Sequence, residues 1–373
     1  MPKPKTRQQY RRDSHLYAVL AALMLTLAVA SHLNAQGVGD PRDLTRLPLG
    51  DYKLSNSAQI GYVYRCGTGA NAGIGGAQVD GPWIKADGTF DFTAKAIVDG
   101  DVAWPQHTLT IRLDADIRRI EGNDLPDHTT GIYPISTNDD AYQYDRNPNR
   151  IGEQSLVYAL PANPTVAAQP HCLTPGAVGV LTTGVVIFDA LDALNRDAVA
   201  HETQDHCQGH PEVTGEYHYH SLTDCLKDEG VGHSALVGYA LDGFGIYGVR
   251  GENGDILTNA DLDECHGHTH EVEWDGRSVS MYHYHATYEF PYTVGCFRGV
   301  PVVSNQPNNQ QTGSQNQSSS QNGLPDLARA AQQLGVSEAQ LRDALGPPPP
   351  DLRAAARRLG VSEGQLRAAL GVP

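Results

Sequence analysis

Short apolar runs separated by turn-forming residues fill the middle of the chain. Between about residues 50 and 303, β-branched and aromatic side chains occupy a few positions and then give way to Gly, Pro, Asn or Asp, a pattern typical of strands and turns. The clearest runs cover residues 81–96, 109–113 and 178–188. About 250 residues is acceptable for one all-β domain, so the pattern predicts a mainly β, sandwich- or barrel-like domain with one or two helices.

Two local patterns add detail to this prediction. The segment 236–248 is apolar around an Asp242-Gly243 pair, which favours a hairpin turn between two buried strands. Upstream, five residues recur every three or four positions and would share one face of a helix; they are Phe188, Leu191, Leu194, Ala198 and His201. We therefore expect a helix before the hairpin.

A basic segment followed by an apolar one begins the chain. Five Lys and Arg residues precede the uncharged run 16–30, which ends in Ala-Val-Ala. This order indicates a secretory signal peptide over residues 1–30, and the run is shorter than the roughly 20 residues that a membrane-spanning helix needs. An uncleaved membrane anchor is the alternative. We expect an exported protein, periplasmic or extracellular, with no membrane span after processing.

Composition changes sharply after residue 303. Residues 304–323 are mostly Gln, Asn and Ser, which cannot bury a core and predict a disordered linker. A unit then occurs twice, at 324–346 and 351–371, and each copy contains Leu-Gly-Val-Ser with a Gln three residues after the Ser. Because Gly ends helices and Ser-x-x-Gln begins them, each unit is predicted to be a helical hairpin. The pair is a candidate surface for a protein partner.

Charge limits the classes of partner. The formal net charge is −16, and removal of residues 1–30, which hold five basic groups and one acidic group, changes it to about −20. A chain this acidic is not expected to bind nucleic acid or an anionic membrane surface.

All six cysteines lie downstream of the signal segment. An even number in an oxidising compartment indicates three disulfides. Ligation of a metal by free thiolates is the alternative, although the chain contains no C-x-x-C pair of the kind common in such sites.

Histidine is concentrated in one region. Eleven of the sixteen histidines fall within residues 201–285. An Asp-x-Cys-x-Gly-His sequence that begins at Asp205 returns at Asp263, and a Tyr-His-Tyr-His sequence that begins at Tyr217 returns at Tyr282. These two cassettes, residues 205–220 and 263–285, indicate an internal duplication.

The duplication also suggests a disulfide pattern. One pair of cysteines flanks each Tyr-His-Tyr-His sequence, which leaves the first two cysteines for each other. Of the fifteen connectivities that six cysteines allow, we therefore expect Cys66–Cys172, Cys207–Cys225 and Cys265–Cys296.

Alternation along a strand places the histidines of each cassette together. Alternate side chains of a strand share a face and lie about 6.5–7 Å apart, so the two histidines point one way and the two tyrosines the other. A polar strand face without metal is the simpler alternative. We expect the histidines of both cassettes to form one environment, with one or two metal ions bound between the cassettes. The predicted ligands are His210, His218, His220, His268, His270, His283 and His285, with His201, Asp205 and His266 as secondary candidates.

The kind of metal follows from the remaining residues. Met281 is the one methionine beyond residue 30, which excludes a methionine-rich Cu(I) site, and disulfide formation would remove thiolate ligands. Imidazole with carboxylate or water suits Cu(II), Zn²⁺, Ni²⁺ or Fe²⁺, and Cu(II) binds nitrogen sites more tightly than its neighbours. A Cu(II) or Zn²⁺ cofactor is therefore expected, copper first and zinc second.

A partial catalytic motif supports a different function. His201-Glu202-Thr203-Gln204-Asp205 matches half of the H-E-x-x-H zinc motif, with Asp at the second ligand position. On a helix, His201 and Asp205 would lie one turn apart, and Glu202 could act as the general base of a metal-dependent hydrolase. We prefer the simpler interpretation, a buried histidine bonded to a carboxylate. A metal-free surface adhesion or interaction module is a third function that the sequence leaves open.

Several motifs together resemble one known family. They are the sequences at 208–211, 217–220, 238–248, 262–270 and 282–297, with 81–84 and Trp104 upstream. The chain resembles the YHYH-domain family of secreted, mostly bacterial proteins over roughly residues 60–302. The resemblance implies a shared fold and secretion and carries no established activity.

The C-terminal units should be dispensable for metal binding. Residues 304–373 contain no histidine, and a flexible Gln/Asn/Ser linker couples the helical units only weakly to the globular domain. Truncation after Val303 should therefore leave the metal content and the melting temperature of the purified protein nearly unchanged. A large loss of either quantity would mean that the helical units pack on the globular domain.

Overall fold

The computed structural model describes residues 43–67, 76–226, 228, 231–302, 327–345 and 352–370. The predicted signal peptide and the predicted linker (304–323) lie outside the described residues. Within them strands predominate, so the predicted mainly β fold is confirmed. The runs 109–113 and 178–188 form strands, whereas 81–96 contributes only a two-residue strand.

Fifteen strands are present in the described residues. They are β1 (Leu47–Pro48), β2 (Leu54–Ser55), β3 (Val63–Tyr64), β4 (Thr89–Phe90), β5 (Leu109–Asp114), β6 (Ile117–Gly122), β7 (Leu156–Pro161), β8 (Ala177–Leu181), β9 (Val186–Phe188), β10 (Gly209–Pro211), β11 (Tyr217–Tyr219), β12 (Leu236–Ala240), β13 (Gly245–Tyr247), β14 (Gly267–Trp274) and β15 (Arg277–His285). The α-helices are α1 (Ala198–His201), α2 (Leu327–Leu334), α3 (Glu338–Leu345), α4 (Leu352–Leu359) and α5 (Glu363–Leu370), and short 3-10 helices cover Phe92–Ala94, Asp140–Gln143 and Asn259–Asp261.

An eight-stranded mixed sheet organises the domain. Its order is β10-β11-β9-β8-β12-β13-β15-β14, with antiparallel β8 and β12 at the centre. From each central strand the same pairings lead outward: an antiparallel neighbour (β9 or β13), a parallel one (β11 or β15), and an antiparallel edge strand (β10 or β14). The first half of the open sheet, β8 to β11, is therefore repeated by the second half, β12 to β15.

The turns that leave the two central strands are equivalent. Gly184 between β8 and β9 has a φ of 88°, and Gly243 between β12 and β13 has a φ of 92°, a conformation that glycine adopts without steric cost. The second turn contains the predicted Asp242-Gly243 pair, and β12 and β13 form the predicted hairpin. The repetition thus extends beyond the histidine cassettes.

A smaller antiparallel sheet, β5-β6-β7, shares the core of the large sheet. The Arg118 guanidinium of β6 lies 4.4 Å from the centre of the Tyr239 ring and 4.7 Å from that of Trp274. The same group forms two hydrogen bonds to the Asp275 carboxylate, at 3.0 and 2.8 Å. A buried charge is tolerated where it is paired in this way, and these contacts join the small sheet to the second half of the large one.

The helix predicted over 188–201 is wrong except for its last turn. Phe188 ends β9, and α1 covers only Ala198–His201. In the intervening loop the Asp189 and Asp192 carboxylates accept backbone N–H groups a few residues ahead, at 2.8–3.0 Å. Such side-chain turns compete with helical hydrogen bonds. The three-or-four spacing therefore reflects a loop that packs apolar residues on the core.

Three disulfides join the described residues: Cys66–Cys172, Cys207–Cys225 and Cys265–Cys296. These are the pairs that the duplication suggested, and no cysteine among the described residues is free. Three disulfides are consistent with an exported protein, because they persist in oxidising compartments.

The four C-terminal helices share an apolar core of their own, which includes Ala330, Leu341, Ala355 and Leu366. Each predicted unit is a helical hairpin. The serine before α3 and the serine before α5 form the reciprocal hydrogen bonds of a capping box with the glutamine three residues later. In the described part of the chain, no helix has both the length and the apolar character needed to cross a bilayer.

The close approach of the two central strands can be tested at Gly238. A Cβ atom there would lie 2.6 Å from the Val180 carbonyl oxygen, which belongs to the paired strand and cannot move away. Gly238→Ala should therefore lower the free energy of unfolding by about 1–3 kcal/mol, as measured by chemical denaturation. Gly152→Ala is the matched control, since nothing lies within 4 Å of its added Cβ. Equal stability of both variants would contradict this account of the central pair.

Candidate metal centres

Each cassette begins with the same side-chain turn. The Asp205 carboxylate accepts two backbone N–H groups in the turn before β10, at 2.9 and 3.3 Å, and Asp263 accepts the equivalent two before β14, at 2.9 and 3.1 Å. The first tyrosine of each Tyr-His-Tyr-His sequence donates to the same carboxylate: Tyr217 to Asp205 and Tyr282 to Asp263, both at 2.9 Å. These bonds fix each edge hairpin to its preceding turn.

The second tyrosine of each sequence is also anchored on the face opposite to the histidines. The Tyr219 hydroxyl lies 2.6 Å from His128 Nε2 and 3.1 Å from Thr183 Oγ1. The Tyr284 hydroxyl donates to the Asp242 carboxylate at 2.6 Å. The tyrosines therefore hold the strands in place from behind, as the alternation along a strand predicts.

Backbone carbonyls determine the orientation of the histidines in the first cassette. His218 Nδ1 lies 3.1 Å from the Glu216 carbonyl oxygen, and His220 Nδ1 lies 2.5 Å from the Asp189 carbonyl oxygen. Because a carbonyl oxygen can only accept, Nδ1 of each neutral ring carries the proton and Nε2 carries the lone pair.

The lone pairs converge in a buried cluster that we name site A, formed by Glu202, His210, His218 and His220. The Nε2 atoms of His218 and His220 are 3.2 Å apart, and Glu202 Oε2 lies 3.4 Å from His220 Nε2 and 3.5 Å from His210 Nε2. All four side chains are buried. A tetrahedral ion with ligand bonds of about 2.0–2.1 Å holds its ligand atoms about 3.3 Å apart. The three separations given above match those of ligands around a single ion, and ligand atoms of the three histidines all lie within 4.8 Å of one another.

Without a cation, site A leaves buried polar atoms unsatisfied. Glu202 Oε2 and both ring nitrogens of His210 have no hydrogen-bond partner among the described residues, although buried polar groups are normally paired. The Nε2 lone pairs of His218 and His220 also face each other at 3.2 Å. One divalent cation could bind Glu202 Oε2, one ring nitrogen of His210 and the two facing Nε2 atoms, so the residues present fit a metal ion.

Burial shifts the pKa values in site A toward the neutral forms. It lowers the pKa of His210 and His218 well below the usual range and that of His220 to about 4. It raises the pKa of Glu202 well above its usual range. Neutral imidazole is the form that ligates a metal, and the charge of a bound cation would favour ionised Glu202.

A second cluster, which we name site B, lies at the other edge of the sheet and consists of His233, His268, His270, His283 and His285. The Nε2 atoms of His233 and His285 are 3.1 Å apart, and those of His268 and His270 are 3.0 Å apart. Candidate ligand atoms of His233, His270, His283 and His285 all lie within 4.8 Å of one another.

Backbone carbonyls orient four of the five rings in site B. The Nδ1 atoms of His233, His270, His283 and His285 lie 2.6–3.0 Å from carbonyl oxygens, which directs their Nε2 lone pairs toward the cluster. His283 Nε2 is buried without a hydrogen-bond partner among the described residues. Burial lowers the pKa of His268 to about 4, of His283 to about 3 and of His285 to about 2. Site B therefore also presents neutral nitrogen donors.

A comparison against family models matches one part of the chain. Residues 157–256 match the family model described as YHYH protein. This match supports assignment of that segment to the YHYH family. The matched segment includes all of site A and His233, and it ends before the second cassette. No curated protein and no solved structure matches the chain.

The histidines of the two cassettes lie in two separate clusters, so the expectation that both cassettes form one environment is wrong. Four strands separate β11 from β15 in the sheet, which corresponds to about 24 Å at the usual strand spacing of about 4.8 Å. Every predicted principal ligand lies in one of the clusters. His210, His218 and His220 lie in site A, and His268, His270, His283 and His285 in site B.

The three secondary candidates lie outside both sites. His201 is buried between carboxylates, with Nε2 2.9 Å from Asp51 Oδ1. Although burial favours the neutral ring, the pairing with Asp51 raises its pKa. His266 Nε2 bonds the Thr287 hydroxyl at 3.1 Å, and the Asp205 carboxylate is occupied by the turn before β10. None of the three faces a cluster of lone pairs.

The partial H-E-x-x-H motif is not helical in the YHYH domain. Helix α1 ends at His201, and Glu202 is extended, with φ −79° and ψ 140°. His201 and Asp205 therefore do not lie one helical turn apart, and the helical arrangement suggested for this motif is wrong. The extended backbone instead directs Glu202 into site A, while His201 is the buried, carboxylate-bonded histidine that we preferred.

His233 is the site residue that sequence reasoning missed. It lies between the cassettes and has no counterpart in the internal alignment, so an argument based on duplication passes over it. Its position within the histidine-rich region 201–285 is the one feature of the sequence that would have indicated His233 as a site residue.

Two further groups of ligand-type side chains meet at Cys207, one with His128 and Cys225 and the other with Asp205 and His206. The Cys207 sulfur is bonded to Cys225 and is therefore not a thiolate that could bind a metal. Neither group is a candidate metal centre.

The buried histidines should make the metal-free protein sensitive to mild acid. Above pH 6.5 they are neutral whether the chain is folded or unfolded, and they contribute no pH dependence. Between pH 6.5 and about 4, the unfolded chain binds protons that His220 and His268, with a pKa of about 4, do not bind when folded. Each such histidine lowers stability by up to about 1.4 kcal/mol per pH unit. Buried carboxylates whose pKa values are raised, such as Glu202 and Asp197, have the opposite sign and offset part of this loss.

Chemical denaturation of chelator-treated protein at pH 7 and pH 5 measures this dependence. We expect the free energy of unfolding to be lower at pH 5 by a few kcal/mol. His285→Gln should reduce the difference, because it removes one of the titrating rings. Equal stability at the two pH values would contradict the burial of neutral histidines.

Proposed function

We propose that this YHYH domain binds two transition-metal ions, one in site A and one in site B. The observation that carries the proposal is the direction of the imidazoles. Backbone carbonyls accept hydrogen bonds from Nδ1 of six histidines, so that Nε2 lone pairs face each other at 3.2 Å in site A and 3.1 Å in site B. A cation between such atoms replaces mutual repulsion with ligand bonds.

Copper is the first expected metal and zinc the second. Sites A and B offer imidazole nitrogens, with one carboxylate in site A, and both metals accept such ligands. Cu(II) stands above its neighbours in affinity for nitrogen sites. The disulfides of the chain remove thiolates from competition, so no softer ligand set is available among the described residues.

The position of Glu202 counts against the hydrolase alternative. A general base must face a metal-bound water, whereas Glu202 Oε2 lies as close to the imidazoles of His210 and His220 as one ligand lies to another. Four protein ligands close a tetrahedral site, while catalytic zinc sites keep one position open. We therefore assign Glu202 as the fourth ligand of site A.

The role that we propose is metal capture or redox chemistry outside the cytoplasm. The expected signal peptide and the three disulfides support export. A net charge of −16 favours the approach of cations over that of anions. The C-terminal helical hairpins remain a candidate surface for a protein partner.

Each site should account for one bound ion. His220→Ala removes a ligand from site A, and His285→Ala removes one from site B. Each variant should lose about one of two metal equivalents, because loss of a direct ligand exceeds the roughly 10–100-fold in affinity that loss of an outer partner costs. Elemental analysis of untagged, desalted protein after loading with copper or zinc measures the stoichiometry.

Tyr219→Phe is the matched control for site A. Tyr219 lies between two ligands in β11, but its hydroxyl bonds groups on the opposite face, so the variant should keep both ions. The decisive comparison is His218→Ala/His220→Ala. If that double variant bound as much copper and zinc as the wild type, the metal proposal for site A would be wrong, and a metal-free adhesion module would be the better description.

A further inference from the structure

We infer that His268 is the ligand through which metal ions enter and leave site B, so that site B exchanges its ion while site A retains its own. The inference rests on the proposed binding of an ion at site B. It concerns the rate of exchange rather than the affinity, and it assigns different tasks to the two sites.

Site B contains one imidazole more than a four-coordinate ion requires. The ligand atoms of His233, His270, His283 and His285 all lie within 4.8 Å of one another. His268 is not part of that group, although its Nε2 lies 3.0 Å from His270 Nε2. It can therefore share an ion with His270 without belonging to the inner set of four.

The five histidines of site B differ in exposure. His283 and His285 have no exposed surface, whereas His233, His268 and His270 are partly exposed. His268 and His270 lie on β14, the edge strand of the sheet. An ion that reaches the domain from solvent thus meets the edge-strand pair before it meets His283 and His285.

The ring of His268 is held differently from the other four rings of site B. The Nδ1 atoms of those four rings are hydrogen-bonded to backbone carbonyls, which fixes the direction of each ring. No hydrogen bond from a described residue holds Nδ1 of His268, whose one side-chain hydrogen-bond contact within the described part of the chain is the His270 Nε2 atom. A ring without this anchor can rotate between solvent and cluster, as a ligand that transfers an ion must.

A carboxylate accompanies this pair at the surface. Glu252, whose side chain is 60 % exposed, has its Oε1 atom 3.5 Å from His270 Nδ1. A negative charge beside a partly exposed opening raises the local concentration of cations. The Glu252 carboxylate therefore lies where an ion arriving from solvent would first bind.

Site A differs from site B in exposure. The counterpart of His268, 58 residues earlier, is His210, which also lies on an edge strand and has no hydrogen-bond partner at Nδ1 among the described residues, but which is only 4 % exposed. Glu202 occupies the remaining ligand position, and it too is buried. Four buried protein ligands are the mark of a closed, structural metal site, so an ion in site A has no partly exposed ligand to leave through.

The experiment follows the loss of copper(II) from the loaded, purified protein after addition of excess EDTA, by visible absorbance and by elemental analysis of quenched samples. The wild type should release one ion in a fast phase and one in a slow phase. His268→Ala should keep two ions at equilibrium and slow the fast phase about ten-fold, which corresponds to about 1.4 kcal/mol in the exchange barrier. His206→Ala, at an exposed histidine outside both sites, is the control and should leave both phases unchanged.

The outcomes separate the two proposals. An unchanged fast phase in His268→Ala, with two ions still bound, overturns the role of His268 and leaves the metal proposal standing. Loss of an ion from His268→Ala at equilibrium also overturns it, because His268 would then be a permanent ligand. If His268→Ala lowers the melting temperature, His268→Asn repeats the measurement with a polar side chain. A wild type that binds no ion sensitive to His285→Ala refutes site B itself, and with it both proposals.

Discussion

The hydrogen bond from imidazole Nδ1 to a backbone carbonyl oxygen is the interaction on which both sites depend. It decides which ring nitrogen keeps its proton and where the other nitrogen points, and in this protein it recurs in both cassettes. His220 takes its carbonyl from the residue after β9, and His285 takes its own from the residue after β13. The ligand direction is therefore a property of strand pairing, since β11 and β15 run parallel to those strands.

The fold class and the principal candidate ligands could be predicted from the sequence because both depend on local periodicity. Alternation along Tyr-His-Tyr-His is enough to separate the clustered histidines from the packing tyrosines, and the flanking cysteines are enough to suggest the disulfides. The arrangement of the cassettes was not accessible in this way. Whether β11 and β15 adjoin or lie apart depends on the order of strands in a sheet, and nothing in the two matching segments specifies that β8 and β12 come between them.

The differences between the sequence-based expectations and the structure also have physical causes. The spacing from Phe188 to His201 satisfies a helix pattern, but two aspartates in that stretch offer the backbone other hydrogen bonds. Glu202 was considered only as a member of a helical motif, and its real position follows from an extended backbone just past a four-residue helix. His233 reaches site B from a segment that the repeat does not contain, so only the folded chain brings it together with His285.

The repetition of the sheet about β8 and β12 gives the molecule an internal reference standard. The edges that hold site A and site B share one order of strand pairings within a single molecule, and they differ at identifiable positions; Glu202, for example, corresponds to Ala260 at the offset of 58 that relates Asp205 to Asp263. Any contrast in how the two edges handle an ion can therefore be traced to particular side chains, without the differences in expression, folding or purity that complicate comparisons between separate proteins. The two halves of the sheet thus show which side chains differ between two copies of the same backbone arrangement.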